Sequence, residues 1–130
     1  MCGYTNKEIA KKTAEWWANQ LGKTDADGGD KTISAIFREA RQQSALDINE
    51  RNKQHFCDVL ELLVLMSKPA TISVDYDPDE NLSLALGKAR IRAYGALPIR
   101  SATSINWDTG EISAKLGYDG EWICLQNPRN

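Results

Sequence analysis

The chain has 130 residues, one histidine, no closely spaced cysteine pair and no apolar run long enough to cross a bilayer. Each absence excludes something. The longest apolar stretch, Val59 to Met66, is interrupted by Glu61 and falls well short of the ~20 residues a membrane helix requires. The opening Met-Cys-Gly-Tyr-Thr-Asn-Lys lacks the apolar stretch of a secretory signal, so a cytoplasmic location is expected. Cys2, Cys57 and Cys124 are odd in number and widely separated, which suits neither a paired disulfide framework nor a CxxC metal knuckle. Reduced, mostly buried thiols are expected, with Cys2 the most reactive because it sits at a terminus. His55 and Cys57 form His-x-Cys without a second cysteine pair at zinc spacing, and the His-x-Glu of nucleotide deaminases is missing. Without nucleophile-elbow glycines or a further histidine, acyl transfer has no visible apparatus. Leu86-Gly87-Lys88-Ala89 lacks the first glycine and the hydroxyl of a phosphate-binding loop. No catalytic residue, metal ligand or cofactor is assigned on these grounds.

Charge of one sign is also lacking. Sixteen basic and 18 acidic residues leave a formal net charge of -2, so no global field draws the chain onto nucleic acid or an anionic membrane. Direct nucleic-acid binding and membrane association are not expected. A chain of this length forms a single core without a metal or disulfide staple, and no repeat or low-complexity linker divides it. One domain over 1–130 is expected.

What is present is a change of sequence grammar at Lys68-Pro69. Before it, over about 5–68, apolar residues recur at helical spacing. After it, over about 70–126, they mostly alternate between Gly- and Asp-containing turns. Thr5 and Glu8 form a capping box for a first helix to Leu21, closed by Gly22, with Ile9, Thr13, Trp16, Trp17 and Leu21 inward and Lys7, Lys11, Glu15 and Asn19 outward. A polar loop covers 23–30. It is not an EF-hand, because Gly29 and Ile36 stand where one begun at Asp25 would need ligands. Asp30 caps a second helix to about Ala45, with Ile33, Ile36, Phe37 and Ala40 buried. Asp47 and Glu50 repeat the capping-box pattern for a third helix that Pro69 stops. Its broad apolar face takes in Ile48, Phe56, Val59, Leu60, Leu63 and Met66, widened by Leu62 and Leu65.

The alternation of 71–76 predicts a strand with Ile72, Val74 and Tyr76 on one face and Ser73 and Asp75 on the other. Asp77 as cap and Pro78 as first residue predict a short helix to about Leu86, closed by Gly87, in preference to a strand over 81–86. Further strands are expected near 89–93, 100–107, 111–116 and 121–125, with turns at 95–98, 108–110 and 117–120. The fold class is therefore α+β: three N-terminal helices packed on a mainly antiparallel C-terminal sheet with one short helix.

Three constellations are candidates for binding. Asp75, Asp77, Asp79 and Glu80 form an acidic cluster able to hold a hard cation or face a basic groove, although capping alone accounts for Asp77 and its neighbours. Arg90 and Arg92, with Lys88, would share one side of a strand. Joined by Arg100, they would make a basic stripe for phosphate or an acidic partner, the alternative being a guarded sheet edge. Among Trp16, Trp17, Trp107 and Trp122, the adjacent pair Trp16 and Trp17 point about 100° apart on a helix, so one of them is expected to reach an interface.

Residues 6–21 and the segment Asp75-Tyr76-Asp77-Pro78-Asp79 resemble a group of small uncharacterised proteins from Gram-positive bacteria and their phages. That resemblance carries no activity and no functional residue. It implies the context of a mobile element, whose small proteins often block host enzymes. The expectation is a non-enzymatic binding protein, an inhibitor of a host defence or nucleic-acid enzyme acting by protein–protein contact, free or as a homo-oligomer. A nucleotide- or phosphate-binding module gripped by the arginines, and a metal-dependent hydrolase built on the carboxylates, are the alternatives.

Overall fold

The computed structural model of the protein describes residues 5–21, 45–75, 78–92, 96–97, 100–117 and 120–128. Helices α1 (Asn6–Asn19), α2 (Glu50–Ser67) and α3 (Glu80–Lys88) accompany strands β1 (Thr71–Ser73), β2 (Ala102–Ile105), β3 (Ile112–Lys115) and β4 (Ile123–Gln126). The strands form an antiparallel meander in the order β1-β2-β3-β4. The architecture is α+β, with helices against one face of the sheet. The second helix expected before Ala45, the polar loop preceding it, and Gly22 lie outside the described residues.

Local sequence explains most of the boundaries. At the start of α1, the Thr5 hydroxyl accepts the Glu8 amide at 3.1 Å while the Glu8 carboxylate reaches back to Thr5, so the predicted capping box forms. Helix α2 begins two residues later than Asp47 would place it. Asn49 is the cap, its side chain accepting the Asn52 amide at 2.9 Å, and the Asp47 carboxylate instead accepts the Arg92 amide at 2.9 Å. Lys68 ends α2 in the left-handed region (φ 45°) just before Pro69. Helix α3 is a helix and not a strand, as preferred, and it buries Leu82, Ala85 and Leu86. Its cap is Asp79 in place of Asp77, which lies outside the described residues. Its Gly87 sits inside the helix, with Ala89 as the C-cap.

The strand expected near 89–93 is absent over 89–92. Ala89 and Arg90 form a turn, Arg90 takes φ 61°, and Ile91 drops into the core. A left-handed residue cannot continue a pleated strand. Arg100 likewise takes φ 63°, so β2 starts at Ala102. The hairpin at 106–110 forms as predicted. Asn106 Oδ1 accepts the amides of Asp108 and Thr109 at 3.0 and 3.2 Å, and Gly110 supplies φ 82°. At Gly120 an added Cβ would collide with the Leu116 carbonyl, so the turn into β4 depends on glycine there.

Alternation sorts the sheet. Ile72, Thr103, Ile105, Ile112 and Ala114 are buried against the helices, while Thr71, Ser73 and Ser104 are exposed on the opposite face. The buried side chains of α1, α2, α3 and the sheet form one cluster around Trp17, Phe56, Leu60, Leu82 and Leu86. Met66 and Leu62 depart from the expected inward face of α2, being 80% and 59% exposed. The core buries Phe56, Cys57, Leu60 and Val64 of this helix, with Val59, Leu63 and Leu65 packed at its margin, and leaves Leu62 and Met66 outside.

The tie between layers is specific. The Trp17 indole N–H donates to the Thr103 hydroxyl at 2.9 Å, and both residues are wholly buried. Trp107 makes a second clasp, donating its indole N–H to the Pro69 carbonyl at 2.9 Å. A buried indole needs such an acceptor. Thr103→Val strands the Trp17 N–H and is expected to cost about 1–3 kcal/mol. Trp17→Phe leaves a void in the core and is costly by itself, but the double variant should cost less than the sum of the two singles, a coupling read from urea denaturation of the wild type, both single variants and the double.

Candidate functional site

Of the acidic cluster Asp75, Asp79 and Glu80 are described, and each has a separate role, while Asp77 lies outside the described residues. Asp79 has both carboxylate oxygens engaged, Oδ1 by the Leu82 amide at 3.1 Å and Oδ2 by the Ser73 amide at 3.0 Å. Its own amide donates to the Ser73 carbonyl at 3.0 Å. It therefore caps α3 and closes the loop after β1 in one stroke. Asp75 faces Arg100 Nη1 at 3.2 Å across the exposed surface, and the Arg100 amide donates to the Asp75 carbonyl at 3.3 Å. Glu80 is an exposed first-turn residue that complements the helix N-terminus. Among the described residues no group of three or more potential metal ligands converges.

The arginines are not aligned as the missing strand would have aligned them. Arg92 Nε lies 3.6 Å from Asp47 Oδ2, so Arg92 ties the segment after α3 back to the approach of α2. Arg100 serves the Asp75 loop. Arg90 is exposed in its left-handed turn. The two opposed charge groups read from the sequence thus meet each other in part: Asp75 with Arg100, and an unforeseen acid, Asp47, with Arg92.

Of the two adjacent tryptophans, Trp17 is wholly buried and bonded, so it is closed to any partner. Trp16 lies at the core margin, edge-on to Trp17 with ring centroids 4.9 Å apart and planes at 86°. That geometry is the favoured one for an aromatic pair. The tryptophan that does reach solvent is Trp122, 53% exposed beside Ile123 at 55%. The signal for it was legible. Trp122-Ile123-Cys124-Leu125 is a run with no alternation, in the last strand of a meander, so one of its faces has to be left outside.

Among the described residues, large apolar side chains are exposed at this end of β4, at Leu46 (76%) ahead of α2, and on α2, where Leu62 and Met66 stand four residues apart on one side. Leu84 of α3, 46% exposed, lies one turn beyond Asn81, whose amide bonds the Ser67 hydroxyl at the end of α2.

Between α1 and α2 a polar cleft of about 280 Å³ is lined by Lys11, Glu15, Lys53, Asp58 and Glu61, with Cys57 among its walls. Burial, and then the charges of Glu15, Asp58 and Glu61, push the Cys57 thiol up from 9.0 to about 11, against a smaller opposing effect of Lys11. At neutral pH it is a protonated, inert thiol and not a nucleophile.

Comparison with known proteins finds no match: no family model, no curated protein and no solved structure is similar to the chain.

Three outcomes follow from this geometry. Asp79→Ala should cost about 1–2 kcal/mol by loss of the cap, while Glu80→Gln changes little, as urea unfolding will show. In a Cys2→Ser background at pH 8, a thiol reagent should modify exposed Cys124 at once and Cys57 only on unfolding. Because the folded-state value of Cys57 is raised, its contribution to stability is intact below about pH 9 and is lost toward pH 11. Cys57→Ala should flatten that part of the pH profile of unfolding.

Proposed function

We propose that this is a non-enzymatic binding protein that acts by protein–protein contact, its contact face being the apolar stripe of Leu62 and Met66 on α2, extended by Leu84 on α3. The exposure of Leu62 and Met66 together carries the reading. Both belong to the amphipathic pattern of α2, yet neither enters the core that pattern serves. Large apolar side chains presented on a rigid helix are the usual anchors of helix-mediated recognition. The dispersal of the charged residues supports the same reading. Among the described residues, Asp75, Asp79, Arg92 and Arg100 are spent on holding loops, whereas the apolar stripe is left exposed.

The resemblance of residues 6–21 and 75–79 to small proteins of Gram-positive bacteria and their phages extends the proposal to the partner: a host protein, with defence and nucleic-acid enzymes the first to try. Blocking such an enzyme would need only occupation of its surface, and no chemistry by this chain.

The test is comparative capture. Wild-type protein and the Leu62→Glu/Met66→Glu variant are immobilised and challenged with host lysate, and any protein held only by the wild type is purified and titrated. Each buried apolar anchor is worth about 1.5–3 kcal/mol, so the double substitution should weaken binding at least about a hundredfold. The melting temperature should stay unchanged, since both side chains are already solvated. A partner held equally by both proteins would remove the stripe from the proposal.

A further inference from the structure

The hairpin that joins β2 to β3 carries a groove of about 490 Å³, a size typical of small-molecule sites. Trp107 lines it. The indole N–H of Trp107 is held by the Pro69 carbonyl, so the ring is fixed in place. The strand ladder sets the rest. Ser104 stands directly opposite Ser113, and the Asn106 amide donates to the Glu111 carbonyl at 2.9 Å. Between these two pairs lie Ile105 and Ile112, which are buried toward the helices. Alternation therefore puts Ser104, Asn106, Glu111 and Ser113 together on the outer face, where all of them line the groove. Their positions mark a rectangle about 5.5 Å across the strands and about 7 Å along them. That is the scale of a single pyranose ring with its hydroxyls.

The chemistry of the lining narrows the ligand. No lysine, arginine or histidine lines the groove, so a phosphate or carboxylate would meet no counter-charge. Of the two carboxylates there, Asp108 already has a partner, while Glu111 makes no ion pair among the described residues. Asn106 Oδ1 is taken by the amides of Asp108 and Thr109, which leaves the side-chain NH2 to donate. The Ser104 and Ser113 hydroxyls can donate or accept. A cation would call on acceptors only, whereas three of these four outward groups can donate. Mixed donors and acceptors beside a fixed aromatic ring match a molecule with hydroxyls around its rim and C–H bonds on its face.

We propose that this groove binds a neutral saccharide, one pyranose ring lying against the Trp107 indole with its hydroxyls bonded by Ser104, Asn106, Glu111 and Ser113. The clasp to Pro69 and the hairpin hydrogen bonds hold these groups before the ligand arrives, which lowers the cost of binding. None of the lining residues belongs to α2, so the site is independent of the protein–protein contact proposed above.

Titration of the isotopically labelled full chain by NMR tests this. The probes are glucose, galactose, mannose, N-acetylglucosamine and the β-linked disaccharide cellobiose. At least one of them should shift the amides of Ser104, Asn106, Glu111 and Ser113 and the Trp107 indole N–H together and saturably, with a Kd on the order of 1 mM for so open a groove. Ser113→Ala and Glu111→Gln should each weaken that binding about two- to tenfold, the worth of one hydrogen bond, with the melting temperature unchanged. Tighter binding of cellobiose than of glucose would mark a polymer as the source of the sugar, and equal binding a free monosaccharide. No response to any of the probes up to about 50 mM, far beyond the expected range, overturns the proposal. So do saccharide shifts that both variants leave unaltered. The same shifts produced by arginine or tetramethylammonium, but by no sugar, would make the groove a cation site and overturn it too.

Discussion

The fold hangs on a single polar contact inside an apolar core, the Trp17 indole donating to the Thr103 hydroxyl. Trp17 is the largest wholly buried side chain and Thr103 sits on the inner face of β2, in the interior of the sheet. A buried N–H without an acceptor is costly and so is an unpaired hydroxyl, so each fixes the other. The bond sets how far α1 lies along the sheet and which way it is turned. With α1 fixed, its neighbour α2 packs beside it and α3 beside α2. The exposed ends of the arrangement, Lys12 near β4 and Leu62 with Met66 on α2, follow from that placement.

Charged groups do a different job in this protein. Asp79, Asp47 and Asp75 each hold a junction between elements: Asp79 the Ser73 amide at the start of α3, Asp47 the Arg92 amide after α3, and Asp75 the Arg100 guanidinium ahead of β2. Arg100 accepts a left-handed backbone beside its ion pair with Asp75, and Arg90 the same conformation at the turn that ends α3. Carboxylates near backbone amides satisfy donors that neither helix nor sheet provides for, and Asp79 and Asp47 are used in this way.

How far the sequence could be read depended on the range of the interaction involved. The capping box of α1, the Pro69 stop, the Asn106–Gly110 hairpin and the buried Ile72 and Val74 were all legible, because each rests on contacts within a few residues. The misplaced features share one cause. Asp47 looked like a cap until Arg92, distant in sequence, claimed its carboxylate, and the cap passed to Asn49. The cap of α3 is Asp79, whose carboxylate also accepts the Ser73 amide six residues back, a contact no local capping rule contains. The alternation near 89–93 lost to a helix that ran on through Gly87 and turned Ile91 inward.

By itself the sequence determined the class of fold, the order of helices and strands, and the absence of a familiar catalytic motif, since periodicity, capping and turn chemistry are local properties. Only the tertiary structure decided which tryptophan is exposed, which charges neutralise one another, and which apolar residues of α2 are left outside. Those outcomes depend on how much of each face the neighbouring layer can cover, and coverage is a property of packed elements that no stretch of chain holds alone.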